Sequence, residues 1–173
     1  MARSQRDTQA RIAQGIEHKQ AGNALYGKKD YSGALREYYY AVLHLSGLDT
    51  GALPSVAVQP AAESADLRDS QRHLSQVRSN MAACFLALAR YDRAVEVCDQ
   101  ALAGDAANAK AIFRKAQALR LRGDMYAARD WLARPAHASY LDDAEFRAEQ
   151  ARIDTQIRTR ERTSASRWRG FLT

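Results

Sequence analysis

An interval of 34 residues recurs along the second half of this chain. Tyr91 and Met125 stand that far apart, as do Ala94 and Ala128, Cys98 and Leu132, Phe85 and Leu119, and the small residues Ala82 and Ala116. The N-terminal part supplies the same kinds of residue in Gly22, Leu25, Tyr31, Ala34, Tyr38 and Ala41. There the step to the next unit is 60 residues, so 26 extra residues lie between. A unit of this length cannot bury its apolar face alone, whereas three stacked units can.

Within each unit the apolar residues follow a helical period. "TQARIAQGIEHKQAGNALYGK" and "YSGALREYYYAVLHLSG" read as the first two helices, and Gly47 stops the second. The series Leu67, Leu74, Val77, Met81, Phe85, Leu88 reads as a long third helix beginning near Ala65. "YDRAVEVCDQALAG", "AKAIFRKAQALRLRG" and the short "MYAARDWLA" complete three helix pairs. Composition agrees: Ala and Arg are abundant, aromatic residues make up 8%, and only Pro54, Pro60 and Pro135 break the chain.

A 34-residue helix–turn–helix unit with small-x₂-large in one helix and Ala-x₃-large in the next resembles the tetratricopeptide repeat (TPR). The fold implied is an all-α solenoid of three antiparallel helix pairs over 15–134, with an N-terminal extension of the first helix over 1–14. Repeat 1 spans about 15–46, repeat 2 about 75–108 with a helix extended from about 65, and repeat 3 about 109–134. The segment 47–64, with Gly47, Gly51, Pro54 and Pro60 and no period, reads as an exposed, mobile loop. Pro135 stands where the other repeats have Ala41 and Ala101, so the third pair should end early. A capping helix over 140–163 then presents Phe146, Ile153 and Ile157, followed by a basic and aromatic tail over 164–173.

The stretch "AKAIFRKAQAL" raises a question of charge. Lys110 and Arg114 are four residues apart on one helical face, where like charges mildly destabilise a helix. The first helix of each pair lines the inner surface of such a stack. Lys19 and Asn23 lie four apart on the first, Asn80 lies mid-way along the second, and Lys110 and Arg114 lie on the third. Three cations and two amides with no acid among them form a set of donors suited to two nearby carboxylates, as at a C-terminal aspartate. A shared anionic ligand would then offset the repulsion between Lys110 and Arg114.

These five residues resemble, position for position, the carboxylate clamp of TPR co-chaperones that bind the Glu-Glu-Val-Asp ends of the seventy- and ninety-kilodalton heat-shock chaperones. The resemblance implies that Lys19, Asn23 and Asn80 hold the terminal carboxylate. It further implies that Lys110 meets the aspartate side chain and Arg114 grips the peptide upstream. "NMAACFLALARYDRAVEVCDQALAGDAANAKAIFRKAQALRLRGD" is similar to the repeat region of large immunophilins. The layout of 15–172, with a loop after "LHLSGLD" and no isomerase domain before it, resembles the free-standing tetratricopeptide repeat protein 9 family.

Other features qualify this expectation. Net charge is +6, which suits an acidic partner. No window approaches about eighteen consecutive apolar residues, and "MARSQRDTQARI" lacks a secretory core, so a cytoplasmic protein without membrane insertion is expected. Cys84 and Cys98 read as reduced core residues. His18, His44, His73 and His137 lack metal-ligand spacing, and no phosphate loop, nucleophile elbow or catalytic carboxylate pair occurs, so neither cofactor nor catalysis is expected. Tyr38, Tyr39 and Tyr40 point about 100° apart on a helix, so Tyr38 takes the core position with the others packed around it rather than stacking on nucleic acid. The alternative function rests on the last 27 residues, where seven Arg precede or join Trp168, Phe171 and Leu172. Such a helix could carry a scaffold that binds RNA or another acidic partner, or its aromatic end could fold back on the solenoid.

Overall fold

The computed structural model describes residues 2–46 and 65–171, with side chains over 6–46 and 65–168. Helices α1 (Ala2–Gly27) and α2 (Tyr31–Ser46), α3 (Ala65–Ala87) and α4 (Tyr91–Gly104), and α5 (Ala109–Arg122) and α6 (Met125–Leu132) pack as successive pairs. A 3-10 helix, Pro135–Asp142, leads into α7 (Ala144–Phe171). The first helices of the pairs also touch in series, α1 on α3 and α3 on α5, forming the inner row of a TPR solenoid. Among the described residues there is no strand, and no helix is long and apolar enough to cross a membrane.

The same turn closes each pair. Lys29, Ala89 and Gly123 adopt left-handed backbone at φ 63°, 56° and 100°. The next backbone N–H, of Asp30, Arg90 and Asp124, then donates to the carbonyl of Leu25, Phe85 and Leu119 at 3.0, 2.8 and 2.9 Å. These bonds satisfy carbonyls that a helix end leaves without partners. Side-chain caps start three of the helices: Asp30 accepts from the Gly33 N–H at 2.8 Å, Asn108 from the Ala111 N–H at 3.1 Å, and Asp143 from the Glu145 N–H at 2.7 Å.

Small residues set how closely the helices approach. A Cβ placed on Gly22 would lie 2.5 Å from Cε1 of Tyr38, so the ring occupies the space that glycine leaves. Gly15 plays the same part for Leu45, at 2.6 Å. Tyr38 is 1% exposed among Leu35, Met81, Phe85 and both free, buried cysteines. Tyr39 and Tyr40 do not pack around it. Each is roughly half exposed, because a step of about 100° turns both away from the interhelical seam.

α6 stops at Leu132, and Pro135, which has no N–H to continue an α-helical ladder, opens the 3-10 helix. α7 seals the open end. Phe146, Ile153 and Ile157 are buried against Ile112, Leu119 and Trp131. Glu149 lies on the same stripe, fully buried, and the sequence reading did not single it out. Arg120 of α5 grips both its oxygens, and Arg152 adds a contact at 3.1 Å. Breaking such a buried pair from one side typically costs about 3–5 kcal/mol, because the remaining charge has no compensation. At the far end Trp168 is 70% exposed and does not fold back on the solenoid. The expected loop over 47–64 and the side chains of Phe171 and Leu172 lie outside the described residues.

Gly22→Ala tests the close approach. In an open helix this change stabilises by about 1 kcal/mol; here overlap with the Tyr38 ring should reverse the sign and cost about 1–3 kcal/mol. Urea or thermal unfolding should show a lower midpoint. A midpoint at or above that of the wild type would mean that the ring shifts freely.

Candidate functional site

The inner row of helices encloses a cleft of about 460 Å³. Lys19 and Asn23 from α1, Gln76, Ser79 and Asn80 from α3, and Asn108 and Lys110 at the start of α5 line it. Four of the five residues singled out in the sequence therefore share one cavity. Arg114 does not line it. It lines an adjoining hollow between α5 and α7 with Phe113, Gln117, Asp143 and Phe146, and Lys110 borders both.

The Arg114 guanidinium turns toward α3. Its Nη1 donates to the Ser79 carbonyl at 2.7 Å, to Ser79 Oγ at 2.8 Å and to Asn80 Oδ1 at 3.3 Å. This changes the answer to the charge question: Lys110 stays exposed while Arg114 has its charge drawn into a half-buried polar seam. Burial is the main influence lowering the Arg114 pKa, yet an arginine side chain keeps its charge in a protein.

From Asn80 the hydrogen bonds continue. Its Nδ2 donates to Asn23 Oδ1 at 3.0 Å, and the Tyr38 hydroxyl donates to the same oxygen at 2.7 Å. Burial pushes the Tyr38 phenol up to about 12, so it keeps its proton throughout the neutral range. Asn108 is also held, donating through Nδ2 to Ser75 Oγ at 2.9 Å, while Ser75 donates to the Ala101 carbonyl.

Lys19 has partners that the sequence reading missed. Its Nζ donates to His73 Nδ1 and to Gln76 Oε1, each at 3.0 Å. Both partners come from α3, and His73 belongs to the turns that precede the ordinary repeat length. Burial lowers the Lys19 pKa, and nearby Asp69 opposes that shift. Burial also lowers the pKa of His73, with the Lys19 charge second, so the imidazole is neutral at pH 7 and accepts at Nδ1.

The cleft is not free of acid, contrary to the expectation from the five residues alone. Asp105 belongs to its lining. Its Oδ1 accepts from the Ala107 N–H at 3.1 Å, which turns the carboxylate toward the loop before α5. Among the described residues no acid forms an ion pair with Lys19 or Lys110. The cleft thus offers two ammonium groups and oriented amides, with neither cation held by an acid at ion-pair distance among the described residues. Among the described residues no group of three His, Cys, Asp or Glu side chains is placed to hold a metal.

The His73 shift gives a pH test with a defined sign. Because its pKa in the folded chain is depressed, its contribution to stability is present above about pH 6.5 and is lost as pH falls below that value. Imidazole NMR should place the His73 midpoint below 6.5, and Lys19→Met should raise it by removing the neighbouring cation. An unchanged midpoint in that variant would show that Lys19 does not act on the ring.

Comparison with known proteins fits this architecture. No family model matches the chain. It is 28% identical over 148 residues to the peptidyl-prolyl cis-trans isomerase FKBP42 of Arabidopsis thaliana, covering 86% of this chain and 38% of that protein. Among solved structures it superposes on the C-terminal TPR-containing domain of a Plasmodium falciparum FK506-binding protein. That match has TM-score 0.71 and 16% identity, and covers 90% of this chain and 95% of that one. It also superposes on the Arabidopsis OM64 TPR domain, with TM-score 0.63 and 20% identity, over 84% of this chain and 98% of that one. The chain spans well under half of the curated relative it matches. In fold it is a TPR solenoid, and it resembles the TPR regions of FK506-binding immunophilins.

Proposed function

We propose that the inner cleft binds the C-terminal end of a peptide that finishes in aspartate, and that the protein is a non-catalytic TPR adaptor. The observation that carries this reading is the convergence of Lys19, Asn23, Asn80 and Lys110 on one cavity. A terminal aspartate carries two carboxylates a few ångströms apart, and two ammonium groups with amide donors between them complement that geometry. The Glu-Glu-Val-Asp ends of the seventy- and ninety-kilodalton heat-shock chaperones are the ligands that the clamp resemblance implies, and a cytoplasmic location goes with them. Lys110 meets the aspartate side chain, while Lys19, Asn23 and Asn80 take the main-chain carboxylate. Lys19 donates to His73 and Gln76 and keeps its third N–H for the ligand.

A second reading draws on the far end of α7. Arg160, Thr163, Ser164, Arg167 and Trp168 line a separate surface cleft of about 780 Å³, and Trp168 is largely exposed there. A basic face with an exposed indole suits RNA or an acidic protein. Removing all of α7 would strip Glu149 from Arg120, so point changes give the cleaner test.

Calorimetric titration with Met-Glu-Glu-Val-Asp and Ile-Glu-Glu-Val-Asp, each beside a C-terminally amidated control, separates the two readings. The free acids should bind and the amides should fail. Lys110→Ala or Lys19→Ala should weaken binding about tenfold or more, the size of one lost charge-assisted contact. Equal affinity for acid and amide would sink the clamp. Partner capture lost in Arg160→Glu/Arg167→Glu but kept in Lys19→Ala would favour the second reading.

A further inference from the structure

Resting on the clamp reading, we propose that Arg114 and Tyr38 are positioning residues. They fix the polarity of the two cleft asparagines so that Asn23 turns its NH₂ group, and not its oxygen, toward the ligand. Arg114 is therefore assigned a role other than gripping the upstream peptide.

Donor chemistry fixes each amide in turn. An arginine has no acceptor, so the atom of Asn80 that faces Arg114 must be its oxygen. The Asn80 atom that faces Asn23 is then its nitrogen, and only the Asn23 oxygen can receive it. The Tyr38 hydroxyl reaches that same oxygen and must donate to it. Two donors fill the two lone pairs of Asn23 Oδ1. What remains of the side chain is an NH₂ group on a residue that lines the cleft. Polarity therefore runs from a cation at one end and a buried phenol at the other into a single outcome at Asn23. Tyr38 is 1% exposed and does not line the cleft, so it acts on a ligand only through the asparagines it touches, Asn23 and Asn80. Its phenol, kept neutral by burial, holds the proton that this role needs.

The consequence is selectivity for an acceptor. A rotated Asn23 would turn an oxygen toward a carboxylate, and the contact would change from attraction to repulsion. Asn80 and Arg114 stand 34 residues apart, one repeat, so the interaction links equivalent positions on neighbouring helix pairs.

NMR titration of the full chain with N-acetyl-Val-Asp and with N-acetyl-Met-Glu-Glu-Val-Asp tests the assignment. The proteins compared are the wild type, Tyr38→Phe, Arg114→Met, Asn23→Ala and the double variant Tyr38→Phe/Asn23→Ala. Tyr38→Phe and Arg114→Met, which removes every donor, should each weaken both ligands by the same factor, about three- to tenfold, the size of a hydrogen bond. Most of the Tyr38→Phe effect should vanish once Asn23 is alanine. If Arg114→Met weakens only the longer peptide, Arg114 is an upstream contact and the proposal is overturned. It is equally overturned if Tyr38→Phe leaves affinity unchanged or acts as strongly without Asn23. Should the tyrosine variant be unfolded at the assay temperature, the comparison of the two ligands on Arg114→Met decides. A wild type that binds neither ligand overturns the clamp itself and this role with it. A wild type that binds, with variants that match it, overturns this role alone.

Discussion

One contact ties architecture to site: the ring of Tyr38 resting where Gly22 has no side chain. It sets the spacing of α1 and α2, and the cluster that includes Leu35, Met81 and Phe85 closes around that ring. The same side chain ends in a hydroxyl that emerges from the core at Asn23. Packing and polar order are therefore two ends of one residue. A protein interior at crystal-like density transmits a displacement of tenths of an ångström, so the seating of Tyr38 bears on the cleft as well as on stability.

The helix pairs were legible because the repeat combines two signals, a helical period and alternating small and large residues at fixed offsets. Both arise from the same packing geometry, and both survive in a single sequence. The boundary at Pro135 was legible for a covalent reason. Tyr39 and Tyr40 were misjudged because neighbouring residues on a helix do not share a face. Glu149 was invisible as a core residue: on paper it is one acid among many arginines, and only the arrival of Arg120 from another helix makes its burial tolerable.

The cleft was partly legible. Lys19, Asn23, Asn80 and Lys110 come together on the inner row, but the surroundings of each depend on partners that no single helix displays. Arg114 was read from its own helix as a neighbour of Lys110, whereas the register of 34 residues pairs it with Asn80. The same register pairs Gln76 with Lys110, a signal that was present and unused. His73 follows from the added length of α3 beyond a standard repeat, which puts its imidazole beside Lys19. Asp105 was overlooked because its orientation comes from a turn, through the Ala107 N–H, and turns leave little trace in a periodic pattern.

The placement of Glu149 also limits growth. Beyond the third pair, another could add to this stack only by displacing α7, and the acid would then leave Arg120 facing an apolar newcomer with its charge unanswered. Elongation at the α7 end is thereby opposed by electrostatics as well as by shape. Whatever meets that end encounters the arginines of α7 and the exposed indole of Trp168 in place of a bare apolar face.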